Sequence, residues 1–274
     1  MDKKLFYLTT EIFPFANTSD LGVFSAKVPL NLQEKGHDIR TIIPKYGFVS
    51  ERKYILREVI RLREIPFDYN NQPQMVSAKS AFIPKTRVQV YFLEHSEWFK
   101  PLSNLLYKSK NGRPYSDNDE RYAFFSKASI TILPHLFWKP DIILCNDWPS
   151  ALVPLFYKQQ FADDEFYQGI KTVLMIHSLA EYVHFSRETF EKAGLKLPES
   201  IKGDKINVYE AAAESADIII VIEGKENLVS SELMKLPGIK DVESKVKTII
   251  QDDSTPESYL KVADSIDQIL QEDI

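Results

Sequence analysis

Lys4-Leu5-Phe6-Tyr7-Leu8-Thr9, followed by Leu21, Phe24, Val28 and Leu32, followed by His37-Asp38-Ile39-Arg40-Thr41-Ile42-Ile43-Pro44, is the stretch that decides the fold. The first run is apolar and aromatic with no polar alternation, the pattern of a strand buried on both faces. Asn17 to Ser19 offers N-caps for a helix whose apolar residues recur at helical spacing and which Gly36 ends. The last run is a second strand, stopped by Pro44. Strand, helix and strand within about 45 residues form a βαβ unit, which requires a parallel sheet and a right-handed crossover.

Outward from that unit the same alternation predicts strands at 141–145, 171–176 and 217–222, with helices over 119–136, 150–160 and 207–214. Residues 54–94 break the rhythm: Tyr54–Leu62, Gln74–Phe82 and Arg87–Leu93 read as successive strands of an antiparallel insertion. The predicted fold is therefore α/β, a Rossmann-like open parallel sheet with helices on both faces. Asp252 to Ser258 is a polar loop, and Tyr259, Val262, Ile266, Ile269 and Leu270 mark one stripe of an amphipathic helix with no partner nearby in sequence. We expect residues 1–250 to form the Rossmann-type domain, with 54–94 as its insertion, and 251–274 to dock back on it.

Composition closes several classes. The 274 residues carry 34 basic and 39 acidic side chains, a net charge of −5 with no basic block, so no nucleic-acid partner is expected. One cysteine, Cys145, and five scattered histidines give neither an internal disulfide nor zinc spacing, and no metal or cofactor is expected. No apolar run approaches the roughly 18–20 residues of a membrane span, and the first apolar run is too short for a leader, so a cytoplasmic protein is expected. The nine glycines lie at least nine positions apart. There is accordingly no G-x-G-x-x-G, no P-loop and no G-x-S-x-G.

Several segments, in order, resemble the N-terminal domain of the starch/glycogen synthases, glycosyltransferase family 5. Thr10-Glu11-Ile12-Phe13-Pro14-Phe15-Ala16 is similar to the family's S-E-x-x-P-F-A. Gly36-His37-Asp38-Ile39-Arg40 with Pro44-Lys45-Tyr46-Gly47 resembles G-H-D-V-R and P-x-Y-G. Tyr115-Ser116-Asp117-Asn118, Arg121 and Phe125-Ser126-Lys127-Ala128 resemble Y-x-D-N, R and F-S-x-A. Asn146-Asp147-Trp148-Pro149-Ser150-Ala151-Leu152 resembles H-D-W-H-T-A-L, and Ile176-His177-Ser178-Leu179-Ala180 resembles I-H-N-L-A. The resemblance implies the N-terminal half of a GT-B fold, whose enzymes transfer glucose from ADP-glucose to an α-1,4-glucan. It also implies that the donor is held mainly by a second domain, for which residues 223–274 are too few, and that the final helix is the GT-B crossover piece.

The departures bear on activity. In place of K-T-G-G-L stand Asn17-Thr18-Ser19-Asp20-Leu21, so the phosphate lysine and both glycines are missing and a carboxylate has been added. Pro149 stands where the family has a cleft histidine, Asn146 replaces the preceding one, and Glu223-Gly224-Lys225-Glu226 replaces S-P-x-Y. From these, Glu11, Asp117, Asn118, Asp147, Trp148 and His177 are the candidate sugar-binding residues, and no catalytic residue is assigned. Each has a competing structural role. Asp117 and Asn118 can cap a helix and pair with Arg121, Asp147 can cap the next helix over a packed Trp148, and Glu11 and His177 can serve as loop hydrogen-bonding groups. The expected partner is an α-glucan or maltooligosaccharide, with ADP-glucose disfavoured. The alternative is a half-enzyme completed by a second-domain protein or by a second copy of the chain.

Overall fold

The computed structural model describes residues 2–274 apart from 103, 104 and 227. In it β1 (Lys4–Leu8), α1 (Asp20–Glu34) and β2 (Asp38–Pro44) form the βαβ unit, with Lys4 opposite Asp38 and Leu8 opposite Ile42 in parallel register. Both faces of β1 are buried. Leu5 and Tyr7 pack with Phe24, Val28 and Leu32 of α1, while Phe6 and Leu8 face the opposite core, the period of two a strand imposes.

The chain continues through α2 (Glu51–Tyr54), β3 (Arg57–Glu58), β4 (Ile65–Tyr69), β5 (Gln72–Phe82), β6 (Gln89–Glu94), α3 (Asn118–Thr131), β7 (Ile142–Asn146), α4 (Val153–Phe156) and β8 (Lys171–Ile176). It then forms β9 (His184–Ser186), α5 (Arg187–Lys192), β10 (Lys205–Asn207), α6 (Val208–Ala213), β11 (Ile218–Glu223), α7 (Val229–Leu233), α8 (Pro237–Lys240), β12 (Val246–Ile250) and α9 (Pro256–Glu272). Among the described residues one sheet runs β12-β11-β8-β7-β1-β2-β6-β5-β3, with β4 paired to β5, and β9 and β10 pair separately. Within this sheet the strands from β12 to β6 are parallel and antiparallel pairing is confined to β3, β4, β5 and the β5–β6 seam, while β9 and β10 pair antiparallel on their own. The fold is thus the expected Rossmann-like α/β sheet with helices on both faces.

Several elements depart from the sequence reading. Tyr54–Leu62 is not one strand: it comprises the end of α2, the two-residue β3 and a 3₁₀ turn at Ile60–Leu62. Ile55 takes φ 53°, ψ 51°, a left-handed step that no strand can contain. The third predicted insertion strand, β6, lies parallel to β2 (Arg40 opposite Gln89) and so extends the main sheet before β5 turns antiparallel. The 150–160 helix is divided into a 3₁₀ turn at Trp148–Ser150, α4, and a π-helical turn at Tyr157–Phe161. Pro149 and Pro154 sit at the starts of the first two pieces, where a missing N–H costs least. α2, β4, β9, β10, β12, α5, α7 and α8 have no counterpart in the sequence reading.

The last two elements matter for the cleft. β12 adds to β11 as an edge strand, with Ile219 opposite Val246 and Glu223 opposite Ile250. α9 starts on Thr255, whose side chain accepts from the Ser258 amide, and buries Tyr259, Val262, Ala263, Ile266 and Leu270 in the same core as α1. Polar contacts fix its register on α1. Lys35 pairs with Asp264, and buried His37 lies 3.0 Å from Asp267 through Nε2 while its Nδ1 accepts from the Lys3 amide at 3.1 Å.

Candidate functional site

Open parallel sheets place ligands outside the carboxyl ends of their strands. Here the segments leaving β8, β11 and β12 converge there on the N-terminus of α1. A cleft of about 210 Å³ is lined by Asp20, Phe24, His177, Glu223, Gln251 and Ser254, together with Leu21, Ile222 and Gly224. Among the described residues its lining contains two carboxylates and no lysine or arginine.

His177 borders this cleft. Its ring stands edge-on to Phe24, with centroids 4.5 Å apart, and Nε2 lies 3.3 Å from Asn146 Oδ1. Burial holds its imidazole below the ordinary value, partly offset by the charge of Asp147, so it is neutral at pH 7. Asn146 is buried across three strands: Oδ1 also accepts from the Tyr7 hydroxyl at 3.0 Å, and Nδ2 donates to the Leu8 carbonyl at 3.2 Å.

Asp147 takes φ 57° at the end of β7 and makes no side-chain cap to the following turn. Its carboxylate instead accepts from the His177 amide (3.1 Å), the Ser178 amide (3.3 Å) and hydroxyl (3.1 Å), and the Tyr209 hydroxyl (2.5 Å). Burial, then the Asp147 charge, pushes the Tyr209 phenol well above its ordinary value, so it remains a donor. Asp147 therefore holds the loop that carries His177 and has its oxygens occupied. Trp148 is 3% exposed, caged by the rings of Tyr107, Tyr122, Tyr182 and Phe185, and its indole offers no open face. Pro149 is buried, and its carbonyl accepts from Ser126 Oγ at 3.2 Å.

Glu11 is fully buried beneath the loop that precedes α1. Its carboxylate accepts from the Thr18 amide, the Ser19 amide at 3.0 Å, Thr18 Oγ1 at 3.0 Å and Ser19 Oγ at 2.9 Å. The loop's amides and hydroxyls thus point inward. Asn17 and Asp20 are exposed, and Asp20 opens the first turn of α1 at the cleft. Asp117 precedes α3 without capping it and pairs with Arg121. Buried Asn118 donates to the Tyr107 carbonyl at 2.7 Å, and the Tyr107 hydroxyl is 2.6 Å from Thr10 Oγ1. Asn118 thus braces the segment after β1 through Tyr107, and neither Asp117 nor Asn118 lines the cleft beside His177.

Of the six candidates, then, His177 lines the cleft, Glu11 and Asp147 shape it from beneath, and Trp148, Asp117 and Asn118 lie outside its lining; of the positions that depart from the family pattern, Asp20 lines the cleft and Asn146 lies beneath it. Sequence reasoning missed Tyr209, Tyr7 and Gln251. Tyr209 sits within an apolar helix, and Gln251 follows an unanticipated strand, so neither carried a local signal. Cys145 is buried, and burial pushes its thiol well up, which makes it inert.

Fold and cleft together define a Rossmann-type α/β domain with an open cleft at the carboxyl edge of the sheet. The family model of the starch synthase catalytic domain matches residues 4–225, and the chain belongs to that glycosyltransferase family. It is 35% identical over 222 residues to a glycogen synthase of Chlorobium luteolum and 33% identical to one of Chlorobium limicola. In each case 79% of this chain and 45% of the relative are covered, so the chain spans less than half the length of the relatives it matches. Among solved structures it is similar to the catalytic domain of starch synthase IV from Arabidopsis thaliana bound to ADP and acarbose. That match has a TM-score of 0.75 at 20% identity and covers 91% of this chain and 52% of that one. A sucrose-phosphate synthase structure from Thermosynechococcus elongatus matches with a TM-score of 0.50 at 12% identity, covering 98% of both chains. Among the described residues no helix is long and apolar enough to cross a membrane.

Proposed function

We propose that this chain is a glycogen/starch synthase-type domain of α-glucan metabolism that holds a neutral α-glucan or maltooligosaccharide and does not by itself transfer glucose from ADP-glucose. The observation that carries this reading is the inward-turned loop. The donors of Thr18 and Ser19 are taken up by Glu11, while Asp20 presents a carboxylate to the cleft.

A helix N-terminus attracts anions by roughly 0.3–1 kcal/mol. Asp20 already supplies one in the first turn of α1. A diphosphate about 4 Å from that carboxylate is repelled by roughly 1–4 kcal/mol, so repulsion outweighs the dipole. Sugar hydroxyls impose no such penalty, and Asp20, His177 and Gln251 offer them acceptors and donors. Pro149 contributes no side-chain group at the position of the family's cleft histidine.

The test is an ADP-release assay with ADP-glucose and maltotetraose, paired with melting curves in each ligand alone. The expected result is no ADP release above the uncatalysed rate. Maltotetraose at ten times its Kd is expected to raise Tm by about 3 °C. ADP release at an enzymatic rate, or a rise with ADP-glucose alone, contradicts the proposal.

A further inference from the structure

A second cavity, of about 320 Å³, lies away from the cleft, between α2 and the end of β5. Its walls are Tyr54, Ile55, Ala81 and Phe82, and Lys53 and Arg57 stand among its lining residues. Two features separate it from ordinary surface. Ile55 and Phe82 are 68% and 56% exposed, side by side on one depression. Ile55 also holds a left-handed backbone that glycine or asparagine adopts readily and a β-branched residue adopts only at a cost. The fold maintains that conformation while leaving the isoleucine in water, so no burial offsets the strain.

The charges identify the occupant. Residues 51–64 hold five cations and three acids in a chain whose net charge is −5. Two of the three acids, Glu51 and Glu58, are already engaged. Lys79 takes Glu51 at 2.8 Å, Glu58 at 3.3 Å and Glu94 at 3.5 Å, and Arg63 takes Glu58 at 3.1 Å. Among the described residues Lys53 and Arg57 have no carboxylate partner. Lys53 is pre-placed, its Nζ 4.8 Å from the centroid of the Tyr54 ring, and Tyr54 is itself anchored by its hydroxyl on the Pro14 carbonyl at 2.8 Å. A concave apolar floor with two unpaired cations matches an apolar side chain flanked by carboxylates.

We propose that this cavity docks a partner protein through an acidic peptide segment that carries an apolar anchor residue, with Ile55 and Phe82 gripping the anchor and Lys53 and Arg57 pairing with its acidic flanks. The probe is an array of synthetic hexapeptides with one leucine, isoleucine, phenylalanine or tryptophan among aspartates and glutamates, beside the same peptides with lysine for every acid. The strongest binder is then titrated by fluorescence anisotropy against the full chain. Acidic peptides are expected to bind and basic ones not. The Lys53→Glu/Arg57→Glu variant and the Ile55→Asn variant are each expected to bind about ten-fold more weakly or worse. Ile55→Asn separates docking from folding, since asparagine relieves the left-handed strain and is expected to leave Tm unchanged or raised. Absence of any acidic-over-basic preference, binding unaltered in both variants, or binding of phosphatidylserine vesicles in place of peptides overturns the proposal.

Discussion

Glu11 and Asp20 stand nine residues apart in sequence and at opposite ends of one short loop, and between them they set its electrostatics. Glu11 receives four hydrogen bonds from Thr18 and Ser19. Glu11→Gln replaces one accepting oxygen with a donor facing other donors, a change of roughly 1–3 kcal/mol for a buried group. Urea unfolding should show that loss, and hydrogen exchange at the Thr18 and Ser19 amides should accelerate; unchanged exchange would mean the carboxylate does not hold the loop. Restoring the family's residues with Asn17→Lys, Ser19→Gly and Asp20→Gly adds a cation and removes the repelling anion, so ADP should bind about ten-fold or more tightly than to the parent chain. His177 gives a pH signature. Its native imidazole titrates below the unfolded one, whose ordinary value is 6.5, so the unfolded chain binds the extra proton. The stability contributed by neutral His177 is therefore complete above that value and is lost as pH falls beneath it. His95, lowered by burial against the charge of Glu97, acts in the same sense. Tm should fall from pH 7 to 5, and His177→Asn should flatten part of that slope; an identical slope in the variant would exclude the histidine as its source.

Among the elements, what the sequence made legible followed burial. β1, β2, β7, β8 and β11 are covered on both faces and appear as continuous apolar runs. Ile55, Val59 and Ile60 have the composition of a strand without its geometry, because the left-handed step at Ile55 ends extension. β12 escaped notice because it is an edge strand with Lys247 inside it and only Ile249 fully covered. The cleft was legible to the extent that strand ends locate it, which placed His177 correctly on the loop after β8. The role of Asp147 was not legible, since it depends on Tyr209, 62 residues away, whereas a loop hydrogen-bonding role for Glu11 was one of its two readings and only its partners, Thr18 and Ser19, were out of reach. α9 was visible as a stripe, and its docking on α1 brings Ser254 to the cleft. Ile266 is fully buried in that seam, so Ile266→Ala should cost about 2–5 kcal/mol in urea unfolding; a loss under about 0.5 kcal/mol would mean the helix is not packed as described.

For the whole molecule, the strand order and the family match agree on a starch synthase-type domain, while the cleft at its carboxyl edge carries net negative charge. The proposed reading, a sheet that keeps a sugar-handling surface without nucleotide recognition, rests on that charge and on the loop turned inward onto Glu11. Paired isothermal titrations of the chain, one with maltotetraose and one with ADP-glucose in the same buffer, test this most directly. The prediction is a saturable isotherm with maltotetraose and none with ADP-glucose at up to about ten times that Kd. A saturable isotherm with ADP-glucose and none with maltotetraose would contradict it.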